Sequence, residues 1–192
     1  MAHGPDTEEL LRRMANNTEE LNVSGLNITS LPELPSRLQY LNCHRTHLTS
    51  LPELPSGLII LNCSNTRLTS LPKFPSKLIH ITCSHTPITS ISELPSRIQS
   101  LDCSYTQLTI LPELPSTLLE LFSSNTPLIL ERKDFESIAD YNRRWKAWRE
   151  EQESRARIQT KARLLKEEIV MEAWHPRKVE RWVDCGVDLT CL

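Results

Sequence analysis

Four cysteines recur at an interval of 20 residues, and thiols can ligate metals, form disulfides or act as nucleophiles. Zinc sites usually pair cysteines about two to four residues apart and arrange four ligands as a tetrahedron, which an evenly spaced row cannot supply. Equivalent residues on neighbouring parallel strands have parallel Cβ vectors, which suit a disulfide poorly. The row is therefore predicted to consist of reduced, buried core residues. Its members are Cys43, Cys63, Cys83 and Cys103.

Four of the six histidines lie in the same region, and imidazoles serve both as metal ligands and as pH-sensitive groups. His44 and His47 belong to one repeat, whereas His80 and His85 lie two repeats further on, so a shared ion is not expected. These four are interpreted as ordinary surface histidines. The sequence has no glycine-rich phosphate loop, paired-carboxylate arrangement or nucleophile elbow. We therefore expect no catalytic residue, no metal and no cofactor.

A 20-residue repeat positions these side chains. One regular copy reads LQYLNCHRTHLTSLPELPSG, and each copy fits the leucine-rich pattern L-x-x-L-x-L-x-x-N-x-L. Cysteine takes the place of the second core leucine, and threonine takes the place of the asparagine. The regular copies occupy residues 38–57, 58–77, 78–97 and 98–117, with an irregular copy at 18–37 and a half copy at 118–130.

Side chains around each cysteine should alternate between core and solvent, as in a β-strand. Leu41 and Cys43 are expected to point inward and Asn42 outward. Pro52 and Pro55 favour a polyproline-like segment, here called the outer arc, over a helix. The predicted fold class is an α/β solenoid, a short-period leucine-rich repeat with a parallel concave β-sheet, a polyproline-like convex side, an N-terminal cap helix and a C-terminal helical extension.

The threonines in the asparagine position are also predicted to point inward, where their hydroxyls must find partners. We expect a ladder in which each hydroxyl bonds to the backbone of its own or the next coil. The column contains Thr46, Thr66, Thr86, Thr106 and Thr126.

The outward residues of the strands, with the outward residues that directly follow them, form a surface that we call the sheet face. It is polar, close to neutral and dotted with aromatic side chains. Repeat architectures of this kind favour partner binding on such a face, an inference that rests on the fold. The predicted partner-binding residues are Tyr40, Asn42, His44, Ile60, Asn62, His80, Thr82, His85, Asp102, Tyr105 and Phe122.

The L-P-x-L-P-x-x-L coil resembles the shortest leucine-rich repeats, which are found in secreted bacterial effectors of the YopM and IpaH type. The cysteine and threonine variant is similar to repeat proteins of giant DNA viruses. Near the C-terminus, WHPRKVERW (174–182) resembles a tail of giant-virus proteins, Marseillevirus-like ones in particular. The repeat resemblance covers residues 18–130 and implies a viral binding scaffold.

IpaH-type effectors add a large ubiquitin-ligase domain whose catalytic cysteine lies in a C-x-D motif. Only residues 131–192 follow the repeat here, and the stretch from Cys185 to Asp188 has one residue too many for that motif. Ligase activity is therefore the disfavoured alternative, and the chain is predicted not to be an enzyme.

Composition changes near residue 130. Eleven of the thirteen prolines lie between positions 32 and 127, and all four tryptophans lie beyond 144. The sequence thus predicts a helical cap over 1–17, a solenoid over 18–130, and a helical extension over 131–192. The helix of the cap is predicted at 6–15, with Asp6 or Thr7 as its N-cap.

Apolar spacing predicts a helix beyond residue 130 that either breaks near 150–156 or projects and pairs with another copy. A second helix over 171–189 is bounded by Pro176 and Gly186. Because a long apolar stripe needs cover, we predict a homodimer through these helices. The predicted self-association residues are Phe135, Ile138, Tyr141, Trp145, Trp148, Ile158, Leu165, Ile169, Trp174 and Trp182.

The segment 143–166 carries nine basic and three acidic residues with tryptophans between them, so nucleic-acid contact is a further alternative. A solvated helix face is the favoured interpretation. The net charge of −2 and the lack of a membrane-length apolar segment or signal-peptide pattern point to an intracellular protein without a membrane partner.

Overall fold

The computed structural model describes residues 5–14, 19–130 and 136–173, with the side chains of the last helix described as far as residue 167. Two helices flank six short strands within these residues. The elements are α1 (Pro5–Met14), β1 (Glu20–Asn22), β2 (Tyr40–Asn42), β3 (Ile60–Asn62), β4 (His80–Thr82), β5 (Ser100–Asp102), β6 (Glu120–Phe122) and α2 (Ile138–Ala173).

All six strands form one parallel sheet in chain order. Each residue pairs with the residue 20 positions later, so Leu21 lies beside Leu41 and Leu41 beside Leu61. The same register continues to β6. The outer arcs contain neither helix nor strand, as two prolines per coil predict. The predicted leucine-rich-repeat solenoid is confirmed.

The core is built from columns of equivalent residues. Leu41 and Cys43 are fully buried, as their alternation predicts, and Leu48 is fully buried as well. The outer-arc residues Leu51 and Leu54 are only half-buried. The residues equivalent to these two in the fifth coil are fully buried.

Helix α1 covers the first coil. Leu10 is buried, and the guanidinium of Arg13 donates to the carbonyl of Asn22 at the end of β1. The helix was predicted over 6–15 with Asp6 or Thr7 as its N-cap. It begins at Pro5, so both of those residues lie inside its first turn, and a proline in that turn loses no helical hydrogen bond.

The start of α2 covers the last complete coil. Ser137 caps the helix, since its hydroxyl accepts from the backbone N–H of Asp140. The Asn142 amide donates to the carbonyl of Leu114 at 2.7 Å and accepts from the N–H of the same residue at 2.9 Å. Trp145 Nε1 donates to the carbonyl of Leu111 at 2.8 Å. The sixth copy is a half copy without an outer arc, so it cannot cover the outer arc of the fifth coil. The contacts from α2 cover that arc instead.

The chain divides into two compact units, Met1–Trp145 and Lys146–Leu192, and the division falls inside α2. Helix α2 is continuous, so the break near 150–156, which was one of the two predicted alternatives, is not observed. The predicted boundaries at residues 17 and 130 stay predictions. The second predicted helix, with Pro176 and Gly186, lies outside the described residues. Of the helices described, neither is long and apolar enough to cross a membrane.

Candidate functional site

The sheet face is a regular grid, because its residues follow the strand register. Tyr40, Ile60 and His80 lie side by side, and Asn62 and Thr82 lie in the next column. Tyr105 and Phe122 are 51% and 53% exposed. All eleven predicted partner-binding residues are at least partly exposed on this one surface.

The asparagine column also has a structural role. Asn42 Oδ1 accepts from the N–H of His44 at 3.1 Å, and Asp102 Oδ1 accepts from the N–H of Ser104 at 3.0 Å. Asn62 Oδ1 bonds in the same way to Ser64 at 3.2 Å. These bonds fix the turns after β2, β3 and β5. This role is an addition to the predicted one, and an Asn or Asp side chain commonly bonds the backbone two residues later.

The residues two positions after the strands form a further column of the sheet face, which contains Ser24, His44, Ser64, Ser84, Ser104 and Ser124. Two of its serines do not face solvent, although the alternation of the strands predicts that they should. Ser64 is only 4% exposed, and Ser84 is also buried. The Ser64 hydroxyl donates to Asn62 Oδ1 at 2.6 Å, so it accepts at its 3.1 Å contact with His44 Nδ1. Neutral His44 therefore carries its proton on Nδ1 and presents Nε2 as an acceptor. His47 Nδ1 likewise contacts Asn27 Oδ1 at 2.8 Å.

The eighth residue of each coil has a positive φ, between 54° and 74°. We call these residues the turn column. Glycine and asparagine tolerate this left-handed backbone, whereas arginine and tyrosine adopt it at a cost of about 1–2 kcal/mol. Gly or Asn at three of the six positions was the signal for this conformation in the sequence. The turn column contains Gly25, Arg45, Asn65, His85, Tyr105 and Asn125.

The four repeat cysteines are free and fully buried. Burial raises the pKa of the Cys43 and Cys103 thiols to about 12, and it raises the pKa of Cys63 and Cys83 further. A thiol held in its protonated form is neither a good nucleophile nor a metal ligand. Among the described residues, no group of three or more His, Cys, Asp or Glu side chains could hold a metal ion.

The threonine ladder is confirmed. Thr46 Oγ1 donates to the carbonyl of Cys43 at 2.8 Å, and Thr86 Oγ1 donates to that of Cys83 at 2.6 Å. Thr126 reaches the previous coil and donates to the carbonyl of Cys103 at 2.9 Å. Each buried hydroxyl is thereby satisfied, so this column stabilises the coil.

The predicted self-association residues fall into three groups. Tyr141 is fully buried and Ile138 and Trp145 are half-buried, so contacts within the chain already use them. Trp148 is half-buried, whereas Ile158 and Leu165 are 67% and 47% exposed. Ile169 lies in α2 without a described side chain, and Phe135, Trp174 and Trp182 lie outside the described residues.

The basic residues of the predicted nucleic-acid segment 143–166 are largely paired with carboxylates. Arg149 contacts Glu153 at 3.1 Å, and Arg155 contacts Glu151 at 2.6 Å. Arg143, Arg144 and Arg163 form ion pairs as well. Such pairs are typical of a solvated helix and leave less free charge for phosphate.

The 20-residue coil, its in-register strands and its inward Leu, Cys and Thr columns define a leucine-rich-repeat protein. Three solved structures are similar. YopM from Yersinia enterocolitica WA-314 is 37% identical with a TM-score of 0.55, over 56% of this chain and 24% of its own. A Shigella effector LRR domain is 31% identical with a TM-score of 0.65, over 69% of this chain and 62% of its own.

The third similar structure is YopM, a leucine-rich effector protein from Yersinia pestis. It is 31% identical with a TM-score of 0.62, over 65% of this chain and 37% of its own. This chain therefore spans between 24% and 62% of the three solved chains. No protein-family model matches the sequence, and the search of curated proteins returned no match.

Proposed function

We propose that this chain is a scaffold that binds another protein through its sheet face. The observation that carries the proposal is the regular, solvent-accessible grid on the six strands, with aromatic side chains exposed at its edge. Parallel strands in register hold these side chains on a rigid support, which lowers the entropy cost of binding. The likeness to effector LRR domains supports the same use of the fold.

A peptide-display selection against the full-length chain tests this proposal. The selected binders are then measured against a triple variant of the sheet face, Tyr40→Ala with Ile60→Ala and Tyr105→Ala. A matched triple variant of the outer arc, Glu53→Ala with Lys73→Ala and Glu93→Ala, also changes exposed residues. We expect the first variant to lose the binders and the second to keep them. The proposal would be refuted if the outer-arc variant lost the binders and the sheet-face variant kept them.

We further propose that the chain self-associates through α2. Ile158 and Leu165 are large apolar side chains that contact with a second copy would remove from water. The proposed scaffold is not an enzyme. Cys185, on which the ligase alternative depends, lies outside the described residues.

An origin in a giant virus and an intracellular location are also proposals. The cysteine-containing coil and the WHPRKVERW tail support the origin. Four free thiols stacked in one core suit a reducing compartment. Antibody detection in fractions of infected cells tests the location, and a chain recovered only from the medium would contradict it.

A further inference from the structure

Charged side chains on the sheet face are sorted along the solenoid. Coils two to four carry all of its basic and imidazole side chains, and no acid lies on the face of these coils. Acids occur only towards the two ends, at Glu20 in β1 and at Asp102 and Glu120 in β5 and β6. The two arginines thus give the face a cationic centre between anionic ends. The central side chains are His44, Arg45, His47, Arg67, His80 and His85.

The two central arginines are available to a partner. Both are exposed, and neither forms an ion pair with any residue that the structure describes. Other arginines of the described chain do pair, as Arg12 and Arg13 do with Glu9 in α1. Both guanidinium groups of the sheet face can therefore pair with a partner's carboxylates.

Arg45 also occupies a backbone position that disfavours it. Its φ is 55°, where the equivalent residues in the first and third coils are Gly25 and Asn65. A residue kept at such a cost, without an ion pair inside the described chain, points to a use in binding. Tyr105 has the same φ, but its ring is stacked on that of His85.

We infer that the partner segment is an extended acidic peptide whose carboxylates lie over Arg45 and Arg67, with basic residues near Glu20 and Asp102. This inference rests on the proposed function. Six strands at about 4.8 Å spacing span about 24 Å, which about seven extended residues cross at ~3.4 Å each. A nucleic-acid strand fits less well, because the acids at both ends would repel its phosphates.

Two fluorescent peptides of seven residues test this charge pattern. The first probe, Lys-Ala-Asp-Glu-Leu-Ala-Lys, has acidic residues only at its centre, and we call it the acidic probe. Its charge-inverted counterpart is Glu-Ala-Lys-Arg-Leu-Ala-Glu. Binding to the full-length chain is measured by fluorescence anisotropy at low and at high salt. We expect the acidic probe to bind and to weaken with salt, and we expect the inverted probe to bind more weakly.

Matched variants show which arginines bind the acidic probe. Arg45→Gln with Arg67→Gln should weaken binding of the acidic probe about fivefold, since exposed ion pairs contribute about 0.2–1 kcal/mol each. Arg37→Gln with Arg97→Gln removes the same charge from exposed positions before the strands and should leave the dissociation constant unchanged. Equal loss in both variants would mean that net charge alone acts, which overturns the inference.

Three further outcomes also overturn it. They are no binding of the acidic probe at millimolar concentration, equal binding of the inverted probe, and displacement of the acidic probe by a short oligothymidylate. The peptide-display selection distinguishes a failure of the acidic-peptide inference from a failure of the proposed scaffold function. Binders that depend on Tyr40, Ile60 and Tyr105 but lack acidic residues would leave the scaffold function standing. Absence of any sheet-face binder would refute the scaffold function itself.

Discussion

The imidazole of His85 is stacked on the phenol ring of Tyr105, with ring centroids 4.3 Å apart and planes 10° from parallel. Both residues have a positive φ and belong to the turn column. An aromatic pair contributes about 0.5–1.5 kcal/mol beyond its area burial, while a left-handed backbone costs about 1–2 kcal/mol per residue. Stacking therefore offsets part of the strain at this edge of the sheet face.

Arg45 has no stacking partner of this kind among the residues that the structure describes, which leads to a prediction about stability. Arg45→Asn should raise the free energy of unfolding by about 0.5–1 kcal/mol, because asparagine tolerates the left-handed backbone better than arginine does. Chemical denaturation of the full-length chain measures the change. Arg67→Asn is the control, since Arg67 is exposed without a positive φ and should show no gain. Equal or lower stability of the Arg45→Asn variant would contradict the strain argument.

The hydroxyl of Tyr141 is buried in the core, and no described group forms a hydrogen bond with it. Burial raises the pKa of this phenol to about 12. Tyr141→Phe removes the desolvated hydroxyl and keeps the ring, so we expect a gain of about 1 kcal/mol in the free energy of unfolding. Thermal and urea unfolding measure it. Tyr40→Phe, on the partly exposed sheet face, should be close to neutral, and a loss of stability in Tyr141→Phe would indicate an ordered water at the hydroxyl.

The buried thiols should make the protein sensitive to alkali. An unfolded thiol ionises near its ordinary pKa of 9.0, whereas the folded Cys43 and Cys103 thiols keep their protons up to about 12. The unfolded state thus releases protons first as the pH rises above 9. Each thiol should then lower the free energy of unfolding by about 1.4 kcal/mol per pH unit between its unfolded and folded pKa. Denaturation from pH 8 to pH 11 measures the slope.

The slope for a variant with Cys63→Ala and Cys83→Ala is the control for that prediction. Two of the four buried thiols remain in it, so the thiol contribution per pH unit should fall by half. The slope is compared because both substitutions also lower stability at neutral pH. An unchanged slope would assign the alkaline sensitivity to other groups.

Self-association through α2 gives a prediction about mass. Light scattering of the full-length chain at micromolar concentration should give the mass of a dimer, because burial of Ile158 and Leu165 against a second copy removes apolar surface from water. A variant with Ile158→Glu and Leu165→Glu should be monomeric. Thr160→Glu is a matched control on an exposed part of the same helix. A monomeric wild-type chain at high micromolar concentration would end the dimer proposal.

The period of 20 residues was sufficient to predict the strands, their register and the buried columns. Leu41 and Cys43 lie inward, and Thr46 bonds within its coil, because every coil repeats the same local choice and any shift would expose a whole column. The candidate face was predictable for the same reason. Its finer chemistry was not predictable, because the hydrogen bond that His44 donates to Ser64 joins two coils and depends on which side chain is buried.

The sequence alone determined the solenoid, because a repeated pattern of core residues specifies stacked strands without any other contact. Tertiary structure decided how the stack ends and which apolar residues stay exposed. Tyr141 fits a pattern of helical spacing equally well whether it pairs with another copy or enters its own core. Its place is decided by Asn142 and Trp145, whose bonds to Leu114 and Leu111 join segments about 30 residues apart. Such single, long-range contacts have no period, and only the packed chain establishes them.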